Sequence, residues 1–428
     1  MRRMTITLCG CAALAMSVCA YAGDWPQFLG PDRDNVVKDF RGLPRQWPAE
    51  GPKVLWSVSV GPGFGPAAVF GDSAFILDRD ATQGSERDIL RRLRLSDGSE
   101  IWRATFDAVG RTDRNGSRST PAADGKYVFG IGPMGNIYAV NFSDGKTVWT
   151  AHLLRDWDAR RPNWGVATSP LLYGDWVIVS PWGTKASLVA YEKATGRVVW
   201  TTPNPMPPQG DTCQDYASPV PATIAGKRMI VATGRKGYLI GADAQTGALL
   251  WEYREFYDMC SALRMSWQIP SPLILPDGRI LVSGGYGAGA AMVKVERDGD
   301  GWKTSTLWMN KNLRSHVAPL IVYNNHIFGT DDGALRCLDL EGNIKWSGPN
   351  PRKGSILLVD GLLFYLQADK GELVVAEASP EAYRELGRWP ILSGEGMDSQ
   401  VWAPIVFSNG KLFIRNQARL VCLDLMAK

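Results

Sequence analysis

Short apolar runs alternate with polar, glycine-containing turns along almost the whole chain, and the alternation is itself periodic. Tyr127-Val128-Phe129-Gly130, Tyr138-Ala139-Val140-Asn141 and Thr147-Val148-Trp149 are three such runs within one unit. Runs this short, bounded by turn residues, predict strands rather than helices. A unit opens on a strand that follows a proline, as at Ser119-Thr120-Pro121, Thr168-Ser169-Pro170, Ala217-Ser218-Pro219, Pro270-Ser271-Pro272, Val317-Ala318-Pro319 and Trp402-Ala403-Pro404. A second strand follows a turn. A third carries a small residue before Asp, Asn or Glu, as in Val189-Ala190-Tyr191-Glu192 and Leu335-Arg336-Cys337-Leu338-Asp339. An Asp-Gly or Thr-Gly turn then leads into a fourth strand ending in Trp, because glycine accepts the positive φ that tight hairpins require.

The tryptophans give the period. Trp56, Trp102, Trp149, Trp200, Trp251, Trp308, Trp346 and Trp389 are separated by 46, 47, 51, 51, 57, 38 and 43 residues. A repeat of this length, four strands per unit, describes the blades of a propeller. Seven units close on Trp102 to Trp389. An eighth begins at Trp402 and the sequence ends before its fourth strand, while Lys53-Val54-Leu55-Trp56 stands near the start with no unit of its own. The pattern therefore predicts an all-β, eight-bladed propeller of four-stranded antiparallel blades, closed by the N-terminal strand completing the last blade. The expected organisation is a signal peptide over 1–22, an extension over 23–52 and the propeller over 53–428.

The small-x-Asp, turn, Gly, Trp pattern resembles the tryptophan-docking repeat of quinoprotein (PQQ-type) propellers across roughly residues 53–425. Asp24-Trp25-Pro26-Gln27-Phe28-Leu29-Gly30-Pro31 is similar to the start of a group of secreted bacterial PQQ-like repeat proteins. The resemblance implies that each Trp packs between neighbouring blades, which suits a large flat ring whose N–H needs a partner. It also raises a quinone-dependent dehydrogenase. Such enzymes carry an adjacent cysteine pair over the cofactor, carboxylate and amide ligands for calcium, and a catalytic aspartate. No Cys-Cys pair occurs here, and no residue carries over to those roles, so no cofactor is expected.

Arg2 and Arg3, the mostly apolar run Thr5–Val18 and Ala20-Tyr21-Ala22 read as a secretory signal cleaved after Ala22, too short for a membrane span. Cys19 leaves a lipoprotein as the alternative. A periplasmic or secreted location follows. The 47 basic and 43 acidic residues give +4, or +2 once Arg2 and Arg3 are removed. That balance offers nothing to nucleic acid, and no later segment is apolar enough to span a bilayer. A monomer is expected.

Three of the seven cysteines lie in the signal. Cys213 and Cys260 fall before inner strands of adjacent blades and could form a disulfide, which export permits. Cys337 and Cys422 read as buried small residues. His152, His316 and His326 show no metal-ligand spacing, so no metal is expected. His316 reads as a structural histidine, with a catalytic base as the alternative. Asp298-Gly299-Asp300-Gly301 and Asp331-Asp332-Gly333 read as turns rather than calcium loops. Gly284-Gly285-Tyr286-Gly287-Ala288-Gly289 reads as a link between strands rather than a phosphate cradle.

What remains is the loop before each inner strand, opening on one end of the channel. These loops carry Arg114, Asn115 and Arg118; Asn163 and Trp164; Gln214, Asp215 and Tyr216; Trp267 and Gln268; Arg314 and His316; and Asp398, Gln400 and Trp402. Trp, Tyr and Arg are enriched at interaction hot spots, and indoles can stack on a sugar or planar ligand. Either these residues plug the entrance or they form a binding face for a protein or polysaccharide. The favoured function is a non-catalytic envelope scaffold. A quinone-dependent oxidoreductase and a glycan-binding propeller are the alternatives.

Overall fold

The computed structural model describes residues 23–114, 116–206, 216–263, 265–393 and 400–427. The expected signal segment 1–22, and with it the cleavage site, lies outside them, as do Asn115, Cys213, Gln214, Asp215 and Asp398.

Eight antiparallel sheets are arranged as blades. Their strands lie within 68–107, 122–152, 171–202, 220–253, 273–310, 321–347, 356–389 and 406–424 for blades 1 to 8. Strand Lys53–Ser59 supplies the outer strand of blade 8, pairing with Arg419–Asp424, with Trp56 opposite Cys422. The ring is thus latched by its two ends, the N-terminal strand giving blade 8 the fourth strand that the C-terminal segment lacks. A second tie crosses the same seam. The fully buried Arg415 guanidinium donates to the carbonyls of Gly61 (2.7 Å) and Gly65 (3.2 Å).

The docking tryptophans explain the turn glycines. The Nε1–H of Trp56, Trp102, Trp149, Trp308 and Trp346 donates to a carbonyl of the following blade, at Leu95, Phe142, Lys193, Leu340 and Ser379. A Cβ on Gly98, Gly145, Gly196 or Gly247 would come within 2.5–2.8 Å of the residues at the preceding blade's docking position, all but one of these closest approaches being to the indole itself. Those glycines also hold φ near +70°, so two independent constraints select glycine there. Trp389 meets the same partner in Gly51, supplied by the N-terminal extension, whose Cβ would lie 2.5 Å from the indole. Trp251 departs from the pattern. The outer hairpin of blade 5, Gly289–Asp298 with Gly301–Asn310, runs past it, and its Nε1–H meets Met229 Sδ instead.

The inner strands are stitched by the residue before each proline. The N–H of Thr120 donates to Ser169 Oγ, that of Ser169 to Ser218 Oγ, and that of Ser218 to Ser271 Oγ. A channel-facing strand has no neighbour on its inner side, and these hydroxyls of the next blade fill that role. The ladder stops where Ala318 replaces the hydroxyl.

The extension does more than precede the ring. Trp25 bridges Val69 of blade 1, the Pro26 carbonyl accepts from Ala123 N–H of blade 2, and Gln27 Oε1 accepts from Leu172 N–H of blade 3. The buried Arg33 donates to the carbonyls of Ser169 and Pro170. Val36–Val37 then joins blade 7 as a fifth, parallel strand. Residues 25–37 therefore cross the channel and close one end of it. Neither this strand nor the short helix Glu255–Ser261 is anticipated by the strand-and-turn pattern.

Cys260 sits on that helix rather than in a loop, buried beside Gln268 Nε2 at 3.4 Å. Cys337 and Cys422 are buried in third strands, as expected. The Asp298–Gly301 segment is a hairpin turn and Gly284–Gly289 links two strands, also as expected.

Candidate functional site

At the end of the channel opposite the plug, the pre-strand loops enclose a cavity of about 220 Å³. Arg118, Trp164, Tyr216, His316 and Trp402, all expected there, line it together. Phe28 and Leu29 of the plug reach it as well, so the apolar tip of the extension forms part of its wall.

One side is an aromatic stack. Trp164 lies on Trp267 (4.5 Å between centroids, 26°) and on Tyr216 (5.5 Å, 23°), while Trp267 and Tyr216 are 6.1 Å apart. Rings on opposite faces of one indole would be at least about 7 Å apart at ordinary carbon contact distances. Both partners therefore lie on the same side of Trp164, leaving its other face to the cavity. Trp267 is the buried support of this stack rather than an exposed contact.

The other side is cationic. Trp402 stacks on Phe64 (5.4 Å, 26°), with the Arg114 guanidinium 5.1 Å and the Lys353 ammonium 5.5 Å from its ring centre. Lys353 also donates to the Tyr286 hydroxyl at 3.3 Å. Arg118 is spent on structure: it donates to the carbonyls of Asp113, Arg114 and Gly116 and so shapes the loop that presents Arg114. Burial lowers its pKa to about 10, still far above neutrality.

Arg114, Tyr286 and Lys353 hold φ of 56°, 55° and 71°. The left-handed region is costly for side chains of this size, and such strain gathers where a surface is shaped for use. The Asp332 carboxylate holds one of these turns by facing the backbone N–H groups of Gly287 and Tyr286.

His316 stands between the two sides, edge-on to Tyr286 (4.6 Å) and Trp164 (6.3 Å). It is 5% exposed, and neither ring nitrogen has a hydrogen-bond partner. Burial, followed by the nearby Lys353 ammonium, lowers its pKa to about 3. The imidazole is therefore neutral at pH 7, with one nitrogen able to donate and the other to accept. The unfolded chain binds this proton near pH 6.5, the folded chain only near 3. Stability from this group is thus complete above about pH 6.5 and is lost as pH falls toward 3. Unfolding at pH 7 and 4.5 should differ by about 2–3 kcal/mol more in the wild type than in His316→Phe. Equal pH slopes in the two proteins would refute it.

Other expected mouth residues lie apart from the cavity. Gln268 is buried beneath the strand ending at Gly284. Arg314 forms a bidentate pair with the buried Asp331 (2.6 and 2.8 Å), which also takes Arg336. Asp331 is therefore an anchor as well as part of a turn. Gln400 gives its carbonyl to Gln417. Phe64 and Lys353 escape the sequence reading although Phe64-Gly65-Pro66 and Lys353-Gly354-Ser355 precede the inner strands of blades 1 and 7. Tyr286 comes from a different turn and left no signal of that kind.

The residues do not fit a calcium-bound quinone. The chain has no adjacent cysteines, and among the described residues no three His, Cys, Asp or Glu side chains group so as to hold a metal.

Fold and site together define a tryptophan-docked propeller of PQQ-like repeats, plugged at one end and open at an aromatic, cationic mouth. The chain belongs to the family described as outer membrane protein assembly factor BamB, whose model matches residues 49–150 and 85–348. No curated protein sequence matches it significantly. BamB from Moraxella catarrhalis is 16% identical with a TM-score of 0.58, the match covering 86% of this chain and 96% of that one. Quinohemoprotein alcohol dehydrogenase from Comamonas testosteroni is 12% identical (TM-score 0.64; 96% and 82% covered), and Sqt1 from Saccharomyces cerevisiae 10% identical (0.58; 87% and 99%). At these identities the likeness is one of fold, and one fold hosts unrelated functions.

Proposed function

We propose that this protein is a non-catalytic scaffold of the cell envelope that binds a protein or polymer partner at the channel mouth. The observation that carries the reading is the mouth itself, where Trp164, Trp402, Phe64 and Tyr286 surround a cavity blocked from behind by residues 25–37. A blocked channel is a poor conduit but a firm docking surface, because its aromatic anchors are held before binding. The family's description as an assembly factor of the outer membrane supports an envelope location, as does the N-terminal segment read as a secretory signal. No helix among the described residues is long and apolar enough to cross a membrane.

The test is affinity capture from the native envelope fraction. Trp164→Ala/Trp402→Ala is the informative variant, because Trp267 is buried and its loss would disturb the stack. The wild type should retain a partner that the variant loses at least ~10-fold, as expected when hot-spot aromatics are truncated. Identical capture by both would refute the mouth as the docking face. Saturable quinone binding with alcohol-dependent dye reduction would replace the scaffold reading by an oxidoreductase.

A further inference from the structure

We propose that the mouth cavity is a site for a monocyclic aromatic carboxylate. The inference rests on the reading of the mouth as a binding face and specifies the chemistry it accepts.

Three independent features carry it. The first is size and character. A cavity of roughly 150 Å³ suffices for a benzene ring, and this one, at about 220 Å³, leaves room for one further small group. Its walls are the open face of Trp164, the ring of Trp402 and the side chains of Phe28 and Leu29. Apolar walls of this kind reward a flat arene more than a sugar, whose hydroxyls would each need a partner.

The second is charge. Arg114 and Lys353 both approach Trp402, at 5.1 and 5.5 Å, and among the described residues neither forms an ion pair. Both cations add positive potential to this side of the cavity, and both positions hold left-handed backbone. An anion in the cavity is drawn to that potential. A carboxylate suits because guanidinium and ammonium groups form short, charge-assisted hydrogen bonds with it. Asp113 also lines the cavity; its carboxylate acts on the Arg118 guanidinium, and its carbonyl accepts from the same Arg118.

The third is the imidazole of His316, buried in the wall with both nitrogens unpartnered. An unsatisfied buried polar group costs stability until something satisfies it. Being neutral, His316 can donate one N–H to a carboxylate or to a polar ring substituent without adding a third positive charge.

Calorimetric titration of the purified protein with benzoate, benzyl alcohol and D-glucuronate tests the assignment, with tryptophan fluorescence as a second readout. Benzoate should bind saturably with quenching, at least ~10-fold more tightly than either of the others, and more weakly as salt rises. Lys353→Met and Arg114→Gln, whose thermal unfolding should match the wild type, should each weaken benzoate ~10-fold or more and leave benzyl alcohol unchanged. Absence of saturable binding at millimolar benzoate would overturn the proposal. So would benzyl alcohol or glucuronate binding as tightly, or benzoate binding indifferent to both substitutions. Partner capture is a separate readout: loss of capture in Trp164→Ala/Trp402→Ala with no benzoate binding in the wild type sinks this inference alone. Benzoate binding with unaltered capture sinks the scaffold reading alone.

Discussion

Asp88→Ala is expected to lower the free energy of unfolding by about 3–5 kcal/mol, the range for breaking a buried ion pair from one side. Asp88 and Arg79 meet at 2.5 Å with both side chains fully buried. The carboxylate also accepts from the Tyr138 hydroxyl of blade 2 at 2.9 Å, and Arg79 donates to the carbonyls of Ala108 and Gly110. One cluster thus ties the second and third strands of blade 1 to blade 2 and to the loop between them. Burial pushes the Asp88 carboxyl up and the Arg79 charge opposes it. Removing the carboxylate takes away the negative charge that meets this fully buried guanidinium at 2.5 Å. Space for this carboxylate is reserved elsewhere in the chain: a Cβ at Gly132 would lie 1.8 Å from Asp88 Oδ2. Chemical denaturation followed by tryptophan fluorescence measures the loss. The double variant Arg79→Met/Asp88→Leu should recover much of it, because the penalty comes more from the charge that stays buried than from the missing attraction. A loss under about 1 kcal/mol in Asp88→Ala would refute the account, being no more than an exposed pair contributes.

Trp149→Ala should cost a similar amount, about 3–5 kcal/mol, as for other large aromatic side chains deleted from a core. The ring stacks on Tyr191 of blade 3 at 5.6 Å and leans on Phe129 of its own blade at 6.0 Å. Its N–H donates to Lys193 O at 2.9 Å. The turn glycine Gly196 lies against it too closely for any side chain to fill the void from that side. Trp149→Phe keeps much of the ring but strands the Lys193 carbonyl, so it should fall between wild type and alanine. Urea unfolding of the three proteins gives the order. A phenylalanine variant as unstable as alanine would assign the whole effect to the hydrogen bond, contrary to the packing argument.

Both predictions concern contacts between blades, and they differ in how visible they are from sequence. The docking tryptophans recur because each blade meets the next in the same way, and a repeated contact writes itself into the chain as a period. The Gly-Trp pairing is equally regular, with glycine before Trp102, Trp149, Trp200 and Trp251. The Arg79–Asp88–Tyr138 cluster occurs once. Five of the eight residues along Arg87–Arg94 are charged, and which of them is buried depends on what blade 2 lays over them.

The sequence alone determined the number of blades, their strand order, the latch at Lys53–Trp56 and the loops that open on one face. Each follows from local periodicity together with the requirement that a sheet edge find a partner. It also selected Trp164, Tyr216, His316 and Trp402, because each lies two to six residues before a repeated proline and so in the loop at one end of an inner strand. Only the tertiary structure decided that Trp267 and Gln268 lie beneath the surface, that Arg314 is consumed by Asp331, and that Tyr286 and Lys353 complete the mouth. Only it showed residues 25–37 crossing the channel. These outcomes depend on contacts between segments up to some 320 residues apart, such as Asn35 with Ile356, and on single occurrences, for which a repeat supplies no template.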